Sequence, residues 1–591
     1  MNERTRRLYG WWREIAGAIV VLISRILTAP RTPWENDEFL FAEAVRKFDP
    51  SRYHPHPPGY PLYILLGKLV NAIVGDPWRA LVIVSIIAAP IGFVALTRAF
   101  RRWIDDPDLA VIAALLYYFS ASMLVQGTLA LSDGPSIMFL ALALLAISRI
   151  GDEEHDRTAL AVGIWSSAAI GCRPQLVIPI APMLLVALLQ MRTVRQRIAC
   201  VAAFVFISGM WLLPLMEAAG GWDGLLAYEQ KQAAYFASHD AAMSRGAKTT
   251  GEIIARFVFH PWGSKFISFP LIFCSALGAI RLFSVRWRAL PLAVFTIVQL
   301  GFELGWMDPA DAARYSLPAM ILFSLAAACG FDVVRRSVRI NAVSWIATVG
   351  FAAVSFWYVH PILAARTRGP SPVVAAAAYA NQHFAPNTVI LYDLSLRPHT
   401  EYLMPRFRSV AIEPGLAGLF DRPDVPLVLF ADGASHWPEA KVFRWPPSDA
   451  FGKLTRNHYR EVTLDPIRPE ERYLPLAGVY ALERTIAGDE WRWLARDAAI
   501  RLPHAHRASI ALTFRLSPDT PYDADAVRVG VNGRAVGEVV ARKTPAAINV
   551  PLPAGPVEVE MHSQQAFAPA SVLHNQDPRI LAVQLVEVEQ H

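Results

Sequence analysis

The sequence predicts a polytopic α-helical membrane protein followed by an extracytoplasmic α/β module and a β-sandwich. Three observations predict it. Of the 591 residues, 54% are hydrophobic and only 18% charged, against about a quarter charged in soluble domains. The apolar residues dominate up to residue 361 and thin out afterwards. Beyond that point, short apolar runs separated by turn residues replace the long ones. The expected domains are therefore 1–361 in the membrane, 362–487 as the α/β module and 488–591 as the sandwich.

A helix needs about 20 apolar residues to cross the hydrocarbon core, and about eleven segments approach that length. They run 15–29, 78–100, 109–125, 129–148, 160–172, 176–190, 198–216, 266–282, 290–304, 315–331 and 342–357. The apolar stretch 60–74 is short and interrupted by Lys68, which suits a helix lying at the interface.

Basic residues orient these segments. Arg4, Arg6, Arg7 and Arg13 precede the first; Arg98, Arg101 and Arg102 follow the second. Further arginines fall at 192–197, 286–288 and 335–339. An odd number of spans puts all of them on one side, which the positive-inside rule makes cytoplasmic. The net charge of +6 is thus a topology signal and not the footprint of a nucleic-acid binder. The protein is expected in the inner membrane, with a cytoplasmic N-terminus and a periplasmic or extracellular C-terminal region. Cys172, Cys200, Cys274 and Cys329 are far apart and mostly within apolar segments. Packed thiols are expected there, not a disulfide framework or a metal site.

The outward loops carry the candidate chemistry. In "WENDEFLFAEAVRKFDPSRYHPHPPGYPLY", Asn36 can cap a helix that starts with Asp37 and Glu38. Phe39, Ala42, Val45 and Phe48 form a stripe that suggests a helix resting on the bilayer. The prolines then stop the helix, and Gly59 allows a tight turn. Asp133 lies in an outward turn at membrane depth, where a carboxylate is expensive unless it lines a polar cavity. Arg173 and Arg314 lie at outer helix ends. Arginine forks of this kind suit a phosphate-bearing lipid substrate, and a carboxylate beside them suits an incoming nucleophile.

The segment starting "DEFLFAEAVRKFDPSRYHPHPPGYPLY" resembles the first outer loop of the protein O-mannosyltransferases. "LALSDGPSIMF" is similar to the second acidic loop, and "ARYSLPAM" to the Arg-Tyr-x-x-Pro motif, of the wider GT-C superfamily. That superfamily also includes the lipid A aminoarabinose transferases. The resemblance spans residues 10–360 and implies a GT-C-like fold and an inverting glycosyltransferase. Its donor would be a sugar on polyprenyl phosphate, mannose or another hexose or pentose. Its acceptor would be an extracytoplasmic glycan, lipid or protein.

On the same resemblance, Asp37 matches the catalytic carboxylate and Glu38 its orienting or acceptor-binding neighbour. Arg314, with Arg173, would hold the donor phosphate. His54, His56, Asp133 and Tyr315 would line the donor and acceptor pocket. No cofactor is required by the pattern, although Asp37 and Asp133 are candidate ligands for a divalent metal. The chain also departs from the family, since Gly59-Tyr60-Pro61 follows the His-Pro-Pro element. A transporter or flippase of lipid-linked sugars is the alternative, and internally repeated halves would favour it. In the outer region, "TVILYD", "VPLVLFAD" and "GVYALER" read as strands of the α/β module. Asn532-Gly533 marks a hairpin of the sandwich. Trp491 and Trp493 are weighed as sugar-stacking or core residues, with core favoured.

Overall fold

A computed structural model describes residues 3–104, 106–150, 156–235, 249–285, 289–338, 342–411, 424–433, 440–456, 460–467, 473–484, 489–502, 507–572, 577 and 579–591. The chain forms two compact units. One is Met1–Ser371 together with Pro446–Asn457; the other is Pro372–Trp445 together with His458–His591.

The first unit is helical. Its helices are α1 (Glu3–Leu27), α2 (Asn36–Arg46), α3 (Pro61–Val74), α4 (Pro77–Trp103), α5 (Pro107–Tyr118) and α6 (Ala121–Gln126). Then come α7 (Asp133–Ile147), α8 (Asp156–Cys172), α9 (Val177–Gln190), α10 (Val194–Ala218), α11 (Trp222–Tyr235) and α12 (Thr250–Ile254). The last are α13 (Lys265–Val285), α14 (Leu290–Trp306), α15 (Ala312–Tyr315), α16 (Met320–Val338) and α17 (Val343–Arg368). Each apolar segment expected to span falls largely on helix, with 109–125 and 315–331 each divided between two helices. By length and composition, however, three helices among the described residues suffice to cross a membrane, or five if each bent pair counts as one span.

Local chemistry sets several boundaries. α3, α4 and α5 each open with proline, whose fixed φ and missing N–H suit the first helical position. Asp76 caps α4 by accepting from the Arg79 N–H at 3.0 Å. On α10, Ile198, Val205, Phe206, Met210 and Leu213 are all exposed. So large an apolar surface is stable against lipid, not water. Glycines allow the closest helix crossing. A Cβ on Gly278 of α13 would meet the Ala326 carbonyl oxygen of α16 at 1.8 Å, and one on Gly330 would meet that of Cys274 at 2.1 Å. The cysteines are free thiols, three of them buried.

The expected continuous segment 109–125 is broken between α5 and α6. Ser120 caps α6, and the fully buried Arg25 of α1 donates to the Tyr118 carbonyl at 2.5 Å. A guanidinium at the C-terminal end of α5 meets the negative end of its dipole. This accounts for a charge in the middle of the first apolar segment.

In α2 the cap is Glu35, one residue before the expected Asn36. The helix is also not laid on a bilayer: Phe39, Leu40, Phe41, Ala42, Ala44 and Val45 are all buried. It packs against α3 and α4. α3 does carry one exposed apolar face, with Leu65, Leu69 and Ile73 outward and Tyr63, Ile64 and Gly67 inward.

Among the described residues, the second unit contains three five-stranded sheets. In the first, β1 (Val389–Tyr392) runs parallel to β2 (Arg408–Ala411) and β3 (Leu427–Asp432). β5 (Glu461–Ile467) runs antiparallel to β3 and β4 (Lys441–Arg444). Val373, Ala376 and Ala380 of the helix Pro372–His383 join Ile390 and Val428 in its core.

The other two sheets share a core that includes Ile500, Leu512, Val529 and Val559. One is ordered β13-β10-β15-β8-β7 and the other β12-β11-β14-β9-β6. These strands are β6 (Leu474–Pro475), β7 (Val479–Arg484), β8 (Glu490–Leu494), β9 (Asp497–Leu502) and β10 (Ser509–Arg515). They continue as β11 (Asp525–Val531), β12 (Arg534–Ala541), β13 (Ala546–Pro551), β14 (Val557–Ser563) and β15 (Gln584–Gln590). The expected strand "GVYALER" is β7, which pairs with β8 and so lies in a sandwich sheet, not in the α/β module. Asn532 and Gly533 adopt φ of 50° and 79°, the paired left-handed conformation of a tight hairpin turn. Trp493 is buried against Phe567, whereas Trp491 is half-buried with Arg515 over its ring.

Candidate active site

Four sequence-distant loops of the helical unit meet in one charged cluster. Asp37 is the second residue of α2 and Asp133 the first of α7, so both carboxylates sit at positive helix ends. Arg173 lies just after α8, and Arg314 lies in α15. Arg314 donates from Nη1 to Asp37 Oδ2 at 2.6 Å and from Nε to Asp133 Oδ2 at 2.8 Å. Its Nη1 is also 3.6 Å from Asp311 Oδ2. Arg173 donates to the other oxygen of Asp133. Asp133 is therefore held between two guanidinium groups and sealed, with 2% of its side chain exposed, whereas Asp37 keeps 23%. Only Asp37 of this pair is open enough to meet an incoming group.

Aromatic and amide groups complete the cluster. His56 Nε2 lies 3.9 Å from Asp37 Oδ1. Its ring packs 5.0 Å from that of Tyr60 and 5.3 Å from that of Phe41. Gly59 turns the chain with φ of 93°, as the turn predicted there requires. Gln175 Nε2 donates to the Tyr60 hydroxyl at 3.0 Å, and Arg173 lies over the Tyr315 ring at 5.5 Å. His54 differs from the other expected pocket residues. Its backbone bridges to Asp49, and no described hydrogen bond or ion pair joins its side chain to the cluster.

Glu38, the neighbour of Asp37, has a different environment. It is fully buried. One oxygen accepts from the N–H groups of Trp34 and Glu35 at 2.7 and 3.0 Å; the other accepts from Trp78 Nε1 and the Ala130 N–H at 2.9 and 3.0 Å. Four donors fill the capacity of a carboxylate. Glu38 thus ties α2 to α4 and to the loop before α7, and fixes where Asp37 points.

Sequence reasoning assigned no role in the site to Glu35, Asp311, Gln175, Tyr60 or Arg366. Asp311 was legible in principle, since it stands three residues before Arg314 in "DPADAAR". Arg366 gave no such signal. It lies beyond the expected domain end at 361, donates to the Val125 carbonyl at 2.6 Å and sits 3.7 Å from Glu35 Oε1.

Burial and charge set the protonation of these groups. Burial raises the Asp37 carboxyl, but a protonated His56 and the Arg314 guanidinium more than offset it and hold Asp37 well below the usual range. Burial also lowers His56. The imidazole is therefore neutral at pH 7, and Arg314 is the cation that keeps Asp37 ionised there. Burial pushes Glu35 up to about 8, against the opposing charge of Arg366.

A carboxyl raised from 4.5 to about 8 stays protonated in the folded chain after the unfolded chain has released its proton. Its contribution to stability is complete at low pH and is lost as pH rises through that window. Glu35→Gln should therefore raise the thermal midpoint in detergent more at pH 8 than at pH 5. An equal loss at both values would show that the carboxylate itself is needed.

The residues do not fit a divalent metal. Asp37 and Asp133 each take a nitrogen of Arg314, so a guanidinium stands where the ion would bind. Among the described residues, no group of three His, Cys, Asp or Glu could hold one.

Residues 54–212 match the model of the family described as dolichyl-phosphate-mannose-protein mannosyltransferase. No curated protein matches the chain. Among solved structures, ArnT from Cupriavidus metallidurans in the apo state is 13% identical. That likeness covers 78% of this chain and 98% of that one, with a TM-score of 0.50. The same protein bound to undecaprenyl phosphate is 13% identical over 76% and 97%, with a TM-score of 0.47. A mutant arabinofuranosyltransferase AftD from Mycobacteria is 11% identical over 98% and 61%, with a TM-score of 0.46. At such identity the likeness to ArnT is one of fold. The family match begins at the first-loop histidines and runs through Asp133 and Arg173. The match to the family model and the shared fold with ArnT are likenesses of part of the chain and of its architecture.

Proposed function

We propose that the protein transfers a sugar from a polyprenyl-phosphate donor to a hydroxyl of an extracytoplasmic glycan, lipid or protein, with inversion. The observation that carries the reading is the contrast between two arginine-bound carboxylates, Asp133 sealed and Asp37 partly open. Asp37, kept ionised, accepts the proton of the acceptor hydroxyl as its oxygen attacks the anomeric carbon. The bond from that carbon to the phosphate oxygen breaks, and polyprenyl phosphate leaves with the electron pair. Arg314 spends Nε and Nη1 on the carboxylates. Its Nη2 makes no hydrogen bond to the described residues and is available to the developing phosphate charge. Arg173 and Asp133 hold Arg314 in place. A single displacement inverts the anomeric carbon and needs no covalent carboxylate intermediate.

Ion pairs support the topology. Glu14 joins Arg98 and Arg101, Arg13 pairs with Asp108, and Arg335 pairs with Asp106. The basic ends of α1, α4 and α16 and the start of α5 thus gather together, while 286–288 lies outside the described residues. The positive-inside rule makes their side cytoplasmic and the opposite side the site of transfer. The C-terminal unit would then be periplasmic or extracellular.

Purified protein incubated with a panel of polyprenyl-phosphate sugars should consume at least one and release polyprenyl phosphate. A folded sample that consumes none of them would refute the reading.

A further inference from the structure

The segment Pro446–Asn457 belongs to the helical unit, although the chain on both sides of it belongs to the other. Its placement is specific. Ser448 caps the helix Asp449–Leu454 by accepting from the Ala450 N–H at 3.2 Å. Phe451 and Leu454 are buried. The Tyr358 hydroxyl of α17 donates to Asp449 at 3.0 Å, and Gln126 of α6 donates to the Leu454 carbonyl at 2.9 Å. Two residues after this helix, Arg456 Nη2 lies 3.5 Å from Asp308 Oδ2. Asp308 stands three residues before Asp311, which lies 3.6 Å from Arg314, so this ion pair places Arg456 beside that end of the cluster.

The three arginines of the cluster differ in what they can reach. Arg314 and Arg173 have 8% and 6% of their side chains exposed and are engaged by Asp37 and Asp133. Arg456 has 32% exposed. A guanidinium that only holds a buried carboxylate is enclosed, as Arg173 is. One that meets a phosphate arriving from outside must keep part of its fork open. We propose that Arg456, delivered by the segment 446–457, binds the phosphate of the lipid-linked donor and of the polyprenyl phosphate product. This rests on the transferase reading above and adds to it a second phosphate-facing guanidinium beside Arg314. Asp308 holds Arg456 ready while no phosphate is present.

The test uses the full chain in detergent. Binding of undecaprenyl phosphate is measured for wild type, Arg456→Ala, Arg456→Lys and Asp308→Asn, with donor KM and kcat from the turnover assay. Arg456→Ala should weaken binding and raise donor KM by about tenfold or more, as loss of a charge-assisted contact does, with a smaller change in kcat. Arg456→Lys should recover part of the loss, and Asp308→Asn should bind at least as tightly as wild type. Wild-type affinity and KM in Arg456→Ala would overturn the proposal while leaving the transferase reading intact. So would a loss of binding in Asp308→Asn as large as in Arg456→Ala, because it would mark the pair as structural. A wild-type protein that neither binds undecaprenyl phosphate nor consumes a donor would overturn the transferase reading, and this proposal with it.

Discussion

Asp37→Asn is expected to lower transfer activity by about two to four orders of magnitude, the usual worth of a positioned general base, while leaving the protein folded. Asparagine is nearly isosteric and keeps an oxygen for Arg314 Nη1, which donates to Asp37 at 2.6 Å. Arg314 also keeps its bond to Asp133 at 2.8 Å. What asparagine cannot do is accept the acceptor's proton. Donor binding should therefore stay close to wild type as kcat falls. The neighbouring change, Glu38→Gln, should behave differently. Its carboxylate receives four donors, and an amide would turn an NH2 toward two of them. The thermal midpoint should fall, with activity following stability. The comparison is turnover at saturating donor alongside thermal unfolding of both variants. An Asp37→Asn enzyme with wild-type kcat would remove Asp37 from the chemistry.

Arg314→Ala is expected to damage both fold and function. One side chain bonds Asp37 and Asp133 and lies 3.6 Å from Asp311. Its removal leaves carboxylates from three chain segments facing one another with little water. Breaking a buried ion pair by removing one partner typically destabilises by about 3–5 kcal/mol. Arg173 still reaches Asp133, so the loss should be partial at that residue and greatest at Asp37. Arg314→Lys restores a charge but not a fork, because an ammonium cannot span two carboxylates with the planar geometry of a guanidinium. It should recover much of the stability and little of the activity. If lysine restored full turnover, a point charge would suffice and the bridging geometry would have no part in catalysis.

Much of this site was legible in the sequence because its parts are costly anywhere else. Asp133 at membrane depth and Arg173 and Arg314 at helix ends needed a polar cavity, and the structure brings all three to Asp37. The helical segments were legible for the same reason, since long apolar runs have few other uses. Their breaks were less visible. The α5–α6 junction has no proline or glycine, and only Ser120 and the distant Arg25 mark it. α2 misled through its stripe. Phe39, Ala42 and Val45 suggested one apolar face, but Leu40, Phe41 and Ala44 make the helix apolar nearly all round, which is the pattern of a buried helix. Glu38 looked like half of a catalytic pair because nothing local reveals Trp78 or Ala130, which arrive from other helices and loops. Arg456 had no local signal at all, since its meaning depends on a fold-back from beyond residue 371.

That fold-back changes what counts as a separable part. A chain stopped at residue 371 would not be a trimmed enzyme but an unfinished one, lacking the helix Asp449–Leu454 and Arg456. The chain passes between the two units at three joints, 371/372, 445/446 and 457/458, so exchanging the second unit between relatives takes three crossovers. The same arrangement offers a complementation experiment: the missing piece is short enough to be supplied as a peptide.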